Sequence, residues 1–407
     1  MLYFLAEEIV RQGGPPVFTY STTRALLGFL TSLLISILIG RPTIKWLFQN
    51  GYRDFPRNYG AISISNKEGT PTMGGLIMLL SSCLSMFLWC DLLNLRTWLV
   101  LASIGIFAFL GFIDDKAKRD NKSADGGASR IVKIIPQVLF GIGLGVAALF
   151  PKFGLFPEID GVYIGDMWCL PFIKNPILHL SWFLPIWGLM WSGGITNAVN
   201  YTDGLDGMLS VPAFFALLVL GVYAFVMGNS VLAEYLHFPF IHGVGELAVI
   251  CSIFMGCCLG FLWFNSFPAE VFMGDLGSLM LGGVMMTVSF LLRQEWLFLL
   301  VGGIFIFEFM TSVVQDYHFL KRKGRRFFRQ APFHRSLKNG HGIAEPKVVV
   351  RYWIVAALLA AMIRLLNLWL NGRLAAAIGS DLSCEAYTRT LYQPYSVHLQ
   401  RNSSEVI

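Results

Sequence analysis

Residues 197–228 read NAVNYTDGLDGMLSVPAFFALLVLGVYAFVMG. From residue 208 onward the stretch carries no charged side chain, and its length is close to the about 20 residues that cross the hydrocarbon core of a bilayer. Because backbone groups have no water to bind inside lipid, such a segment must satisfy them internally as a helix. The sequence therefore predicts a transmembrane helix over 208–228 with a polar segment, 197–207, at the membrane boundary before it.

The rest of the chain follows the same pattern. Of its 407 residues 55% are hydrophobic and 14% are charged, whereas a soluble domain carries about 25% charged residues. The apolar runs are 22–48, 74–91, 96–114, 132–150, 180–199, 208–228, 246–265, 276–293, 296–320 and 348–370. We therefore predict an all-α polytopic integral membrane protein with about ten transmembrane helices, in which 1–370 form a single transmembrane domain and 371–407 a polar C-terminal tail of unassigned role.

Basic residues set the orientation. Most of the 31 Lys and Arg residues lie in three connections, 41–72, 115–133 and 321–351, and with ten spans these connections share one side. Lys and Arg concentrate in cytoplasmic loops, so both termini are predicted on the periplasmic side. The net charge of +6 then reflects topology and contact with anionic membrane lipids, and gives no reason to invoke nucleic acid.

Acidic residues collect on the same predicted cytoplasmic face. They come from GFIDD (111–115), from NAVNYTDGLDG and from NSFPAEVFMGDLGS (265–278), and they are Asp114, Asp115, Asp203, Asp206 and Asp275. Carboxylates in one place need a cation, and Mg²⁺ binds through one or two carboxylates plus substrate phosphates. Lysines and a histidine in the neighbouring connections could face phosphate oxygens, namely Lys67, Lys118, Lys133 and His334. This combination favours magnesium-dependent phosphoryl transfer.

Simpler interpretations remain open at this point. A single Asp at a membrane boundary can be a helix cap, and Lys118 or Lys133 can serve topology alone. A secondary transporter is a further alternative, but transporters place their sites near the midplane and often carry internal repeats. Here the acids lie at one boundary and no repeat is evident in the sequence. Glu308, in the middle of an apolar run, is left without a role.

Five motifs together resemble the phospho-N-acetylmuramoyl-pentapeptide transferase family. They are GTPTMGG (69–75), GFIDD, NAVNYTDGLDG, GFLWFNSFPAEVFMGDLGS (260–278) and EPKVVVRYW (345–353), and the resemblance covers about residues 18–370. It implies transfer from UDP-MurNAc-pentapeptide to undecaprenyl phosphate, giving lipid I and UMP with Mg²⁺, in a bacterial inner membrane and in a homodimer. UDP-GlcNAc-dependent polyprenyl-phosphate GlcNAc-1-phosphate transferases share the acid loops and are the alternative, although GTPTMGG and VFMGD favour the muramoyl-pentapeptide branch.

The resemblance also implies residue roles. The positions matched to catalytic residues are Asp114, Asp115, Asp275 and His334. Among them, Asp114 is the usual candidate base and Asp275 is matched to the magnesium ligand. The positions matched to substrate binding are Lys67, Lys118, Lys133, Asn200, Asp203, Gly204, Leu205, Asp206, Asn265 and Phe272. The chain departs from the family at residues 331–336, which read APFHRS where the family reads A-P-x-H-H-H. Only the first histidine of that loop, His334, is present.

Overall fold

The computed structural model describes residues 1–53, 69–123, 126–159, 162–168, 178–236, 238–321, 326–363, 384 and 388. These group into two units, Met1–Ala360 and Ala361–Ile407. In the second unit only 361–363, 384 and 388 are described. The predicted tail 371–407 therefore lies outside the described residues apart from two positions, and all that follows concerns the first unit.

Helices make up nearly all of the described chain. They are α1 Leu2–Arg11, α2 Ser21–Gln49, α3 Gly75–Trp89, α4 Leu95–Asp120, α5 Arg130–Leu149, α6 Leu184–Thr202, α7 Ser210–Met227, α8 Ser230–Tyr235, α9 Glu246–Asn265, α10 Gly274–Leu291, α11 Glu295–Val301, α12 Gly303–Lys321, α13 Phe333–Arg335 and α14 Glu345–Ile363. Two antiparallel hairpins lie between α5 and α6, formed by β1 Glu158–Ile159 with β2 Val162–Tyr163 and by β3 Met167–Trp168 with β4 Leu178–His179. The all-α class is confirmed, with these two-residue strands as the addition.

The described helices are long enough for a polytopic membrane protein. Seven of them have the length and apolarity to cross a bilayer, or eight if α11 and α12 are counted as one span bent by 81°. Each of the ten apolar runs coincides with a helix or with this bent pair, except that residues 364–370 lie outside the described part. The multi-pass character is therefore confirmed, while the number of ten spans and the side of the termini stay predictions.

Helix α10 forms the centre of the packing. Every residue from Leu276 to Leu291 is buried, and α4, α6 and α3 pack around it. A Cβ at Gly111 of α4 would lie 2.3 Å from the carbonyl oxygen of Asp275, and one at Gly75 of α3 would lie 2.3 Å from the Cα of Gly277. Glycines at these points let the backbones approach closely, as is usual between membrane helices. This contact brings the end of α4 against the start of α10.

Candidate active site

Asp115, near the end of α4, caps the start of α10. Its Oδ1 accepts the backbone N–H of Asp275 at 3.2 Å, and its Oδ2 accepts that of Leu276 at 3.0 Å. The first N–H groups of a helix have no partner within the helix, so this buried carboxylate satisfies two of them. Gly274 precedes them with φ of 74°, and a Cβ there would lie 2.6 Å from Asp115 Oδ2. Asp115 thus fixes Asp275 in place through the backbone.

Two lysines neutralise the other two carboxylates of this cluster. Lys118 Nζ lies 2.8 Å from Asp114 Oδ2 and 2.9 Å from Asp275 Oδ2. Lys133, from the start of α5, places Nζ 2.7 Å from Asp114 Oδ1 and 3.9 Å from Asp275 Oδ2. Asp114 is fully buried, and its Oδ1 also accepts the backbone N–H of Ala128 at 2.7 Å. Buried charges require such pairing, so the residues form one electrostatic unit.

Helix α6 contributes an amide and a carboxylate. Asn200 Nδ2 donates to Asp275 Oδ1 at 3.1 Å and to Ser278 Oγ at 2.8 Å, so it ties α6 to α10 at the acid cluster. Asp203 follows the last residue of α6 and is half-buried. Partial removal from water, and then the negative charges of Asp275 and Asp115, raise the pKa of Asp203 to about 8. Either a neighbouring cation or protonation of Asp203 itself is therefore favoured.

The turn that follows, residues 203–207, is held from both sides. Asp206 donates its backbone N–H to Glu345 Oε1 at 3.1 Å, and its Oδ2 accepts the N–H of Ala269 at 3.2 Å. Gly207 donates its N–H to Asn265 Oδ1 at 2.9 Å, and its carbonyl accepts from Trp353 Nε1 at 3.1 Å. The start of α14 and the end of α9 thus fix the position of this turn.

His334 lies against the same turn. The residue is fully buried, and a Cβ at Gly204 would lie 2.1 Å from its Nε2. Its backbone N–H donates to Glu308 Oε1 at 3.1 Å, and its Nδ1 lies 3.2 Å from Glu308 Oε2. The histidine that the sequence singled out therefore does meet the TDGLDG segment.

Two groups of sequence-predicted residues emerge from these contacts. The first surrounds the acid cluster and contains Asp114, Asp115, Asp275, Lys118, Lys133 and Asn200. The second surrounds the 203–207 turn and contains Asp203, Gly204, Asp206, Asn265 and His334. Because α4 and α6 end here and α5 and α10 begin here, these elements meet on one side of the helices.

For three residues predicted to bind substrate, the structure shows a packing contact, a backbone contact or no described position. Leu205 buries its side chain in an apolar cluster with Met208, Ile304 and Val348, which gives it a packing role. Phe272 binds the TPTMGG segment through its backbone, donating N–H to the carbonyl of Pro71 at 2.8 Å. Lys67 lies outside the described residues. The substrate roles of all three stay predictions.

The donors at the acid cluster suit a hard divalent cation. The carboxylates of Asp114 and Asp275 converge on the ammonium of Lys118, so a positive charge is favourable between them. Within the described part of the chain, no group of three or more His, Cys, Asp or Glu residues closes around a single point. Mg²⁺ commonly binds through one or two carboxylates, with water and substrate phosphate completing its six ligands. Asp275, with Asp114 beside it, fits that pattern.

Sequence reasoning missed two glutamates that organise the site. Glu308 of α12 holds His334, and Glu345 at the start of α14 holds the backbone of Asp206 and pairs with Lys338 at 2.6 Å. The available signal for Glu308 was its position in the middle of an apolar run, since ionisable residues inside membrane segments usually mark function. Glu345 opens the EPKVVVRYW motif, but nothing local shows which backbone group it binds.

Comparisons with known proteins identify the family of the chain. The model of glycosyl transferase family 4 matches residues 97–293, which include the acid cluster and the 203–207 turn. Three relatives are each called phospho-N-acetylmuramoyl-pentapeptide-transferase. Those of Desulfotalea psychrophila and Desulfosudis oleivorans are 38% identical over 84% of this chain and 92% of their own length. That of Pelagibacter ubique is 38% identical over 88% of this chain and 97% of its own length. The chain therefore belongs to the phospho-N-acetylmuramoyl-pentapeptide-transferase family.

Proposed function

We propose that the chain transfers phospho-MurNAc-pentapeptide from UDP-MurNAc-pentapeptide to undecaprenyl phosphate, giving lipid I and UMP, at the cytoplasmic face of a bacterial inner membrane. The observation that carries the proposal is the cluster in which Lys118 and Lys133 bridge Asp114 and Asp275. One substrate is soluble and the other cannot leave the bilayer, so a charged cluster at the shared ends of α4, α5, α6 and α10 suits both.

The chemistry requires charge neutralisation more than proton removal. An oxygen of undecaprenyl phosphate attacks the β-phosphorus of the UDP-sugar, and the bond from that phosphorus to the oxygen of UMP breaks. The second pKa of a phosphate monoester is about 6, so the nucleophile is largely ionised near neutral pH. A general base then contributes less than its usual 10²–10⁴-fold or so. We therefore assign Asp114 mainly to positioning and to charge, and Lys118 and Lys133 to the phosphate oxygens.

Asp275, with Asp114 beside it, would hold Mg²⁺. The metal would supply Lewis-acid stabilisation of charge on the diphosphate. Asp115 contributes by fixing the backbone of Asp275, and Asn200 contributes by orienting its carboxylate. Direct transfer needs no phosphorylated enzyme, so radiolabel from the β-phosphate of the donor should not remain on the protein when undecaprenyl phosphate is omitted. Covalent label on an aspartate would replace direct attack by a two-step route.

The test is UMP release by the detergent-solubilised full chain with UDP-MurNAc-pentapeptide, undecaprenyl phosphate and Mg²⁺. We expect release to require both the lipid and the metal, to stop with EDTA and to be lost in Asp275→Asn. Asp120→Asn is the matched control, because Asp120 also lies at this end of α4 but is 53% exposed and pairs with Arg119. Release with UDP-GlcNAc in place of the muramoyl donor would move the chain to the alternative branch, and no release with either donor would refute the proposal.

A further inference from the structure

Glu308 is a fully buried carboxylate at the junction of three elements. It lies in α12 soon after the 81° bend from α11, and it accepts hydrogen bonds from His334 of α13 and from the hydroxyl of Tyr352 of α14. A buried carboxylate is stable only when its oxygens are paired with donors. These contacts satisfy both oxygens of Glu308 and hold His334 at two points, the backbone and the ring.

The contact with Glu308 determines how the ring of His334 is oriented. An ionised carboxylate only accepts hydrogen bonds, so Nδ1, 3.2 Å from Glu308 Oε2, carries a proton. The other nitrogen, Nε2, is therefore the one left for a ligand. Donation from Nε2 to an anion requires the imidazolium form, in which both ring nitrogens carry a proton. Nε2 can then present an N–H to an anion, and hydrogen bonds from a charged donor to phosphate are about twice as strong as neutral ones.

The environment of Nε2 indicates that a ligand belongs there. Nε2 is buried and has no hydrogen-bond partner among the residues that the structure describes. Buried polar atoms in folded proteins usually have one, so a purely structural histidine would be expected to satisfy both nitrogens. Nε2 packs against Gly204, which is itself exposed and has no side chain. Because Gly204 is exposed, a ligand that reaches Nε2 would approach on this side, next to the acid-rich end of α6.

We propose that Glu308 is a positioning residue for the transfer reaction, which holds His334 so that Nε2 donates to a phosphate oxygen of a substrate at Gly204. The inference rests on the proposed function above. The hydroxyl of Tyr352 donates to Oε1 of Glu308, the same oxygen that accepts the backbone N–H of His334. His334 is the group that would touch substrate, and Glu308 acts only through it.

A double-mutant cycle separates this role from a purely structural one. Single-turnover UMP formation with radiolabelled donor is measured for the full chain, Glu308→Gln, His334→Ala and the double variant. We expect His334→Ala to lower the rate by about 10²–10³-fold, as for the loss of one donor to a developing charge, and Glu308→Gln by about 10–100-fold, as for residues that orient metal-binding histidines. In the His334→Ala background, Glu308→Gln should change the rate by less than about twofold, because residues that act as a unit are not additive.

Glu295→Gln is the matched control. Glu295 is also fully buried, begins the other half of the bent pair and binds Arg293 Nη1 at 3.1 Å. Its cost should be the same with and without His334. Thermal unfolding shows whether each variant is folded. If Glu308→Gln does not fold, Tyr352→Phe removes one donor and keeps the carboxylate, and its smaller cost should likewise vanish in the His334→Ala background.

The outcomes separate this inference from the proposed function. Two results with an active wild-type chain would overturn the positioning role alone. In the first, Glu308→Gln lowers the rate equally with and without His334. In the second, the rate of Glu308→Gln stays within about twofold of wild type. A wild-type chain that forms no UMP would instead overturn the proposed function. A cycle in which the Glu308 cost disappears together with His334 supports the inference.

Discussion

Gly204→Ala is a direct test of the contact between the 203–207 turn and His334. The added Cβ would lie 2.1 Å from Nε2 and 2.6 Å from Cε1 of the ring. Ordinary van der Waals contact begins at 3.4 Å, so the ring or the turn must move by about 1.3 Å. Glu308 holds the ring by the backbone and by Nδ1, which leaves little freedom for the ring to yield. A misplacement of about 1 Å can cost about 10²-fold in rate, and we expect a loss of kcat/KM of that order.

The assay is UMP release at varied donor concentration, with thermal unfolding in the same detergent. Gly143→Ala is the control, because a Cβ added to Gly143 of α5 would meet no atom within 4 Å, and alanine is the better helix former. The control should keep its activity and its unfolding temperature. A folded Gly204→Ala protein with kcat/KM within about threefold of wild type would refute the reasoning, because the ring position would then be irrelevant to catalysis.

Three further substitutions test the acid cluster. Gly111→Ala would place a Cβ 2.3 Å from the carbonyl oxygen of Asp275, so we expect both activity and unfolding temperature to fall. Gly105→Ala on the same helix meets open space and should change neither. Equal behaviour of the two variants would contradict the close packing of α4 and α10. Asp115→Asn replaces one of the two carboxylate oxygens that cap α10 by an N–H donor. The free energy of unfolding, measured by chemical denaturation, should fall by about 1 kcal/mol, as for the loss of a helix cap. An unchanged value would contradict the capping role. Lys133→Met keeps the aliphatic stem but removes the ammonium. Loss of a charge-assisted hydrogen bond worth about 1.5–3 kcal/mol should lower kcat/KM by about 10–100-fold. Unchanged activity would show that the lysine serves topology alone.

The membrane segments were predictable because each needs only a local signal. An apolar run of about 20 residues must be a helix in lipid, and ten such runs match helices or the bent pair. The 81° bend between α11 and α12 was not predicted, since residues 296–307 are apolar without interruption and Gly302–Gly303 do not by themselves require a break. The hairpins between α5 and α6 have strands of two residues, too short to show the alternation that marks a strand.

The acids of the site were predictable as a set, but their partners were not. The loops that carry Asp114, Asp203 and Asp275 were assigned to one face by topology, and the structure brings Asp114 and Asp275 onto shared lysines. That Asp115 caps a helix about 160 residues further along the chain depends on how α4 packs on α10, which a linear pattern does not encode. The pairing of Glu308 with His334 depends in the same way on tertiary contact.

The attachment of the 203–207 turn to α14 has a consequence for biosynthesis. Glu345 and Trp353 bind the backbone of Asp206 and Gly207, and they come from the last helix that the structure describes. A nascent chain inserts its helices in order, so the acid cluster is complete once α10 has left the ribosome, whereas the turn acquires its clamp only after α14 has emerged. Chains that end before residue 345 are thus expected to lack catalytic competence even when their earlier helices have inserted into the membrane.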